Sequence, residues 1–315
     1  KFLDFFINFH TIITPSLWYL QDRAFEQGAN MLNKKMIYLH KENTIDSINF
    51  EAKLEYLSKK LMSFKNNALI LVYNKTSKKI ISESKKINAE KIFNLGCPRI
   101  DRLITLKNTN PKKITLSSFR YNFGNMLINT EAMHQLETKD PNLELYFNKV
   151  HSIFIDLAAN FKNKEFIIKI KYEHIWKELI EKIIVKKEEE LNYKINNLKI
   201  ISSENTMEEV LKESKLVIGV NSLSLIEARI LGIPCIVPNF REISGYDNAL
   251  LFKKYLGNEL IQVNNEIEFS KQIQKYLLMD FRKIYTKQNR NLIEEYFGYS
   301  DGKNTKRYVD FLLEN

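Results

Sequence analysis

Residues 216–240 read LVIGVNSLSLIEARILGIPCIVPNF. "LVIGV" and "PCIVP" are short β-branched runs of strand length, and "SLIEARIL" between them carries apolar residues at helical spacing. A helix that ends at Gly232 and Pro234 and feeds a second strand is a βαβ unit, which requires parallel strands. Ser222 or Ser224 stands at the helix start, where a hydroxyl caps free N–H groups and where such groups also suit a phosphate. Asn221 lies in the same turn, and Glu227, one turn inside the helix, is placed to reach a ribose hydroxyl pair. A lone serine at a helix start is usually only a cap; the whole strand–turn–helix–Gly-x-Pro–strand order is what points to a nucleotide.

The same alternation runs outward in both directions. Upstream, "ITLSSF" (114–119), "EFIIKIK" (165–171) and "LKIIS" (198–202) read as strands, separated by the helical segments "NLELYFNKVHSIFIDLAANF", "IWKELIEKIIVKKEEEL" and "MEEVLKES". Nearer the start, "TIITPS", "KMIYLHKE", "ALILVYN" and "KIFNLG" are strands, with helices over "LQDRAFEQGANMLNK", "FEAKLEYLSKKLMSF" and "TSKKIISESKK". Strands alternating with helices predict α/β architecture, with parallel sheets covered on both faces. The polar break "KNTNPKK" divides the chain into two doubly wound halves, 1–110 and 111–315. The amphipathic end "KNTKRYVDFLLEN" either crosses back onto the first half or finishes the second. Two such halves imply a cleft between them.

In doubly wound sheets, ligands bind beyond the carboxyl ends of the strands. That rule selects Pro15 and Ser16, His40 to Glu42, Asn74, Gly96 to Asp101, 117–125 with Ser118, Lys171 and the Asn221–Ser224 turn. Lys169 and Lys171 alternate at a strand end and so share one face, where one of them can neutralise a phosphate. His134 stands in a long segment after "SSFRYNFGN". In "NLGCPRIDRL" (94–103) a glycine and a proline suffice for a turn, yet the stretch also sets Asp101 between Arg99 and Arg102. As a bland feature Asp101 is a helix cap or a surface ion pair.

The 315 residues carry a net charge of +10, mostly lysine spread along the chain. No arginine-rich stripe or interleaved aromatic motif accompanies it, so nucleic acid is not the expected partner. Residual attraction for phosphorylated ligands or an anionic membrane surface is expected instead. The two cysteines are far apart and the five histidines scattered, which speaks against a zinc cluster and fits a reducing cytoplasm. No apolar run reaches about 18 residues, the span of a membrane helix. The opening "KFLDFFINFH" reads as the end of an amphipathic helix, so further chain is expected upstream.

"S-x-S-x-x-E-A…G-x-P" over 222–234 resembles the nucleotide-binding half of two-domain GT-B glycosyltransferases. The order "R-A-x-E-x-G-A…I-Y-L-H-K-E…L-V-Y-N…G-C-P-R-I-D" is similar to bacterial surface-carbohydrate enzymes related to CDP-glycerol glycerophosphotransferases. More narrowly, it resembles the retaining β-Kdo transferases of O-antigen, lipopolysaccharide and capsule synthesis. The likeness spans about Thr11 to Phe240. It departs from many related enzymes after "FIIKIK", where Tyr172 and Glu173 replace a His-Pro pair. The resemblance implies a GT-B fold, CMP-β-Kdo as donor, Asp101 as the nucleophile that forms a sugar adduct, Glu42 as acid/base, and His134 near the CMP phosphate or sugar.

That chemistry assigns the remaining candidates. Arg99, Arg102 and Arg120 are available to hold the Kdo carboxylate, with Ser16 and Lys41 beside the sugar. Ser118, His134, Lys169, Lys171, Asn221, Ser222, Ser224 and Glu227 are the nucleotide candidates. No Asp-x-Asp motif occurs, so neither metal nor cofactor is expected. The implied acceptor is a lipid-linked or growing glycan, met in the cytoplasm with peripheral contact at the inner membrane. A CDP-glycerol-type polyol-phosphate transferase and a catalytically silent GT-B binding module are the alternatives.

Overall fold

The computed structural model describes residues 10–15, 20–40, 54, 68–106, 111–119, 140–171, 175–244, 252–280 and 290–315. The chain divides into two compact units, one formed by Lys1–Thr105 with Arg290–Asn315 and the other by Leu106–Asn289.

The first unit holds a four-stranded parallel sheet in the order β1 (Thr11–Thr14), β2 (Lys35–Leu39), β3 (Ala68–Val72), β4 (Ile92–Asn94). Helix α1 (Leu20–Met31) crosses from β1 to β2, and α2 (Lys75–Glu83) from β3 to β4. Strand residues alternate between faces. Met36, Tyr38, Ile70, Val72 and Ile92 therefore pack with Ala29 of α1 and with Ile80 and Ile81 of α2. Ile37 and Leu71 face the other way and are closed over by Tyr308 and Phe311. Those two belong to α10 (Asn304–Glu314), which follows α9 (Arg290–Phe297) at the end of the chain. Phe93 and Phe311 meet with ring centroids 4.7 Å apart.

The C-terminal segment is fastened by backbone as well as by apolar contact. The Cys97 N–H donates to the Phe297 carbonyl at 2.8 Å, and Asn74 Nδ2 donates to the Tyr296 carbonyl at 3.0 Å. Gly298 sits at φ 89°, where a Cβ would fall 1.8 Å from the Tyr73 carbonyl oxygen. Only glycine admits both that dihedral and that approach.

The second unit is a six-stranded parallel sheet in the order β10-β9-β8-β5-β6-β7. Its strands are β5 (Lys113–Ser117), β6 (Glu165–Lys169), β7 (Leu198–Ile201), β8 (Ser214–Gly219), β9 (Cys235–Pro238) and β10 (Ile261–Val263). The helices are α4 (Pro141–Asn160), α5 (Ile175–Leu191), α6 (Met207–Glu213), α7 (Leu223–Ile230) and α8 (Glu266–Leu278), while α3 (Arg99–Thr105) belongs to the first unit. One face of this sheet, with Ile114, Leu116, Phe166, Ile168, Leu216 and Ile218, forms the main core with α4 and α8. Strand β10, three residues whose apolar run is broken by Gln262, is not among the strands expected from the sequence. Among the described residues no helix is long and apolar enough to cross a membrane.

Replacing Gly298 with Ala sets a methyl group against the Tyr73 carbonyl and forces positive φ on an L-residue. A loss of at least ~2 kcal/mol is expected, read as a lower urea midpoint. A variant as stable as the wild type would overturn this docking of the C-terminal segment.

Candidate functional site

In the second unit the chain leaves β5 through α4, β6, α5 and β7 in one direction, then returns to lay β8, β9 and β10 on the other side of β5. The winding therefore reverses between β5 and β8, the place where open α/β sheets leave a crevice for a ligand. The residues at this switch point are Ser117 and Ser118 at the end of β5, and Asn221, Ser222 and Ser224 after β8.

Three hydroxyls close a ring there. Ser224 Oγ donates to Ser117 Oγ at 3.0 Å, Ser117 Oγ donates to Ser222 Oγ at 3.3 Å, and Ser222 and Ser224 are 2.7 Å apart. Because Ser224 spends its proton on Ser117, Ser222 is left to donate to Ser224. Ser222 is also the cap of α7, accepting from the Ser224 N–H at 3.3 Å. The ring is compact because Gly219 ends β8: a Cβ there would lie 3.3 Å from Ser117 Cβ. Asn221 takes φ 50°, a left-handed conformation that asparagine tolerates better than most residues, and it turns the chain from strand into helix.

On the other side of β5, Ser118 Oγ lies 2.9 Å from His151 Nε2. His151 is fully buried in α4 and stacks on Phe147 with centroids 3.9 Å apart. Its Nδ1 lies 2.8 Å from the Phe147 carbonyl. A carbonyl can only accept, so Nδ1 carries the proton and Nε2 accepts from the Ser118 hydroxyl. Burial lowers the proton affinity of His151 to about 4. Sequence reasoning passed over His151. The signal it left is the helical spacing of Phe147, His151, Phe154 and Ala158, an otherwise apolar stripe interrupted by one imidazole.

Of the other predicted nucleotide residues, Lys169, Lys171 and Glu227 lie at the end of β6, just beyond it, and in α7. Lys169 ends β6 and donates from Nζ to the carbonyls of Ser202 and Ile170, the latter at 3.2 Å. Lys171 is exposed just beyond the strand. Glu227 is buried within α7, 5% exposed. Cys235 lies buried in β9, where its Sγ donates to the Leu225 carbonyl at 3.4 Å, and burial pushes its thiol up to about 12.

Asp101 lies in the first turn of α3 rather than in a loop. Its carboxylate accepts from the Asn304 backbone N–H at 3.1 Å, from Asn304 Nδ2 at 2.7 Å and from the Thr305 N–H at 2.6 Å. Two of these are free donors at the start of α10, so Asp101 caps a helix distant in sequence. Gly96 makes room for that contact, since a Cβ there would fall 1.8 Å from Asn304 Oδ1. Arg99 and Arg102 are both exposed on α3. Ser16, Lys41, Glu42, Arg120 and His134 lie outside the described residues, as do most of the polar break at 107–113 and the helical stretch read over "FEAKLEYLSKKLMSF".

No protein-family model matches the sequence, and no curated protein matches it. Solved structures do match in fold. A UDP-GlcNAc 2-epimerase from Methanocaldococcus jannaschii aligns with a TM-score of 0.56 and 14% identity, over 99% of this chain and 79% of its own. The wall teichoic acid polymerase TagF aligns at 0.54 and 13%, over 97% and 72%. A glycosyltransferase from Rickettsia africae ESF-5 aligns at 0.51 and 12%, over 99% and 79%. The fold is GT-B, with two Rossmann-like units. At such identities the likeness carries fold and not activity.

Two outcomes follow from this geometry. An unfolded imidazole titrates near 6.5 and the folded one near 4, so below about pH 6.5 the unfolded chain takes up a proton that the folded one refuses. The His151 contribution is complete above that pH and is lost as pH falls toward 4, by up to about 3 kcal/mol. Subtracting the pH–stability curve of His151→Phe from that of the wild type isolates it, and parallel curves would refute the buried neutral imidazole. Asp101→Ala uncaps α10 and is expected to cost ~1–2 kcal/mol in chemical unfolding, whereas Asp101→Asn, which keeps one acceptor oxygen, should lose less.

Proposed function

We propose that this chain is a glycan-building glycosyltransferase whose donor is a nucleotide-activated sugar held at the carboxyl ends of β5 and β8. The supporting observation is the ring of Ser117, Ser222 and Ser224 hydroxyls at the N-terminus of α7. When the sugar leaves, negative charge collects on a phosphate oxygen. The helix terminus and redirected hydroxyl protons stabilise that charge without a proton donor. The fold neighbours lend support at the same depth: an M. jannaschii epimerase structure, with TM-score 0.54 and 16% identity to this chain, is a complex with UDP-GlcNAc and UDP.

The finer reading rests on the motif resemblance. It takes the donor to be CMP-β-Kdo, the acceptor to be a lipid-linked or growing glycan of O-antigen or capsule, and the transfer to be retaining. An Asp101 oxygen bonds to the anomeric carbon as the bond to phosphate breaks and CMP departs with the electron pair. The acceptor oxygen then displaces the carboxylate and gives its proton to Glu42. Asp101 Oδ2 accepts one hydrogen bond, from the Thr305 N–H, and keeps a lone pair for attack, while Oδ1 holds Asn304; the hydrogen bonds lower the nucleophilicity of the carboxylate without blocking it. The TagF neighbours favour a second reading, transfer of a polyol phosphate, in which phosphorus rather than an anomeric carbon is attacked.

Nucleotide release from CMP-β-Kdo, UDP-sugars and CDP-glycerol separates these. CMP from CMP-β-Kdo alone supports the finer reading, CMP from CDP-glycerol alone supports the second, and release from none overturns both. An intact-mass increase on incubation with CMP-β-Kdo, abolished in Asp101→Asn, would support the adduct. Turnover in Asp101→Asn at the wild-type rate would leave Asp101 with the cap alone. Ser222→Ala and Ser224→Ala are each expected to slow donor turnover about tenfold or more.

A further inference from the structure

Ser118 and Ser117 are adjacent at the switch point, yet their hydroxyls are wired in opposite senses. Ser117 belongs to the ring at the N-terminus of α7, whose protons can turn toward an anion. Ser118 has its proton committed to His151 Nε2, because Nδ1 of the same ring must donate to the Phe147 carbonyl. The imidazole is wholly buried, and turning the Ser118 proton outward would take the donor from a buried nitrogen. Burial also disfavours the imidazolium, so the ring does not reverse its polarity by gaining a proton near neutral pH. The Ser118 backbone is held as well, its N–H donating to the Lys169 carbonyl at 2.9 Å.

We infer that Ser118, oriented by His151, is a specificity-determining acceptor that selects a nucleoside phosphate over inorganic phosphate or diphosphate. The inference rests on the nucleotide reading above and deepens it. Half-buried Ser118 presents lone pairs, which oppose phosphate oxygens and welcome an N–H or O–H. The α7 side of the crevice presents a positive helix end and hydroxyls that donate only to one another, so a proton redirected there meets a phosphate oxygen without leaving a buried imidazole unsatisfied. A ligand satisfying both must carry an anionic end and a hydrogen-donating end, as a ribose with its hydroxyls, or a base with an amine, supplies. His151 does not touch the ligand in this arrangement; it acts through Ser118 as a positioning residue.

Calorimetric titration with CMP, UMP and inorganic diphosphate tests this on the full chain. Ser118→Ala is expected to weaken CMP by about five- to tenfold and to leave diphosphate within twofold. A loss confined to CMP assigns the contact to the base amine, and a loss with both nucleotides assigns it to a group they share. His151→Phe, which frees the Ser118 proton, should weaken nucleotides and strengthen diphosphate. His151→Gln, whose side-chain oxygen can stand where Nε2 does, should restore the wild-type ratio. Equal affinity of wild type and Ser118→Ala for both nucleotides overturns the acceptor role alone. Failure of the wild type to bind any of the three ligands overturns the nucleotide reading and this inference with it. Should Ser118→Ala not fold, nitrogen-15 NMR of wild-type His151 decides: a protonated Nε2 at neutral pH overturns the arrangement, and a protonated Nδ1 with a bare Nε2 supports it.

Discussion

Tyr308 and Phe311, from the last helix of the chain, close the face of the first sheet that carries Ile37 and Leu71. A parallel sheet needs cover on both faces, because its strands are apolar on both. Among the described residues of the first unit, α1 and α2 cover one face, and Tyr308 and Phe311 of α10 pack on the other. This requirement organises the loops beneath it. Asn74 and Asp101, the polar residues that follow β3 and β4, hold α9 and α10 through side-chain hydrogen bonds. The turn at Gly96 leaves space for Asn304, and the turn at Gly298 lets its backbone approach Tyr73. In "GCPRID" the glycine supplies clearance for Asn304 and the aspartate supplies a cap for α10.

The same rule, that function gathers past the carboxyl ends of strands, has different outcomes in the two units. In the first, the ends of β3 and β4 are engaged by the returning chain. In the second, the ends of β5 and β8 carry a ring of hydroxyls and an adjacent serine wired to a buried imidazole. The ring and the serine differ in hydrogen-bond sense although the residues are neighbours, because strand alternation sends Ser117 toward α7 and Ser118 toward α4. Polarity at the site is set by what lies behind each side chain.

Much of the fold was legible in the chain because periodicity and turn chemistry are local. The strands from β1 to β9, the helices α4, α5, α6 and α7, and the βαβ unit around Ser222 and Ser224 all announce themselves by spacing and by Gly-Pro punctuation. β10 (Ile261–Val263) did not: it is as short as β4, and Gln262 breaks its apolar run. Ser222 and Ser224 could be picked out because a helix start has its own signature. His151 could not, because a histidine within an apolar helical stripe looks like any other core position until its partners are known. Asp101 was visible as an oddity in "PRID", but its partners, Asn304 and Thr305, are far away in sequence.

By itself, then, the amino-acid sequence determined the α/β class, the order of strands and helices, and the serine-capped helix start after β8, since each depends on residues within a turn or two of one another. Tertiary structure decided that the end of the chain completes the first unit, that Asp101 caps α10, and that Ser118 points its proton at His151. Those are contacts between segments distant along the chain, and hydrogen-bond direction and face coverage are settled only when both partners are in place.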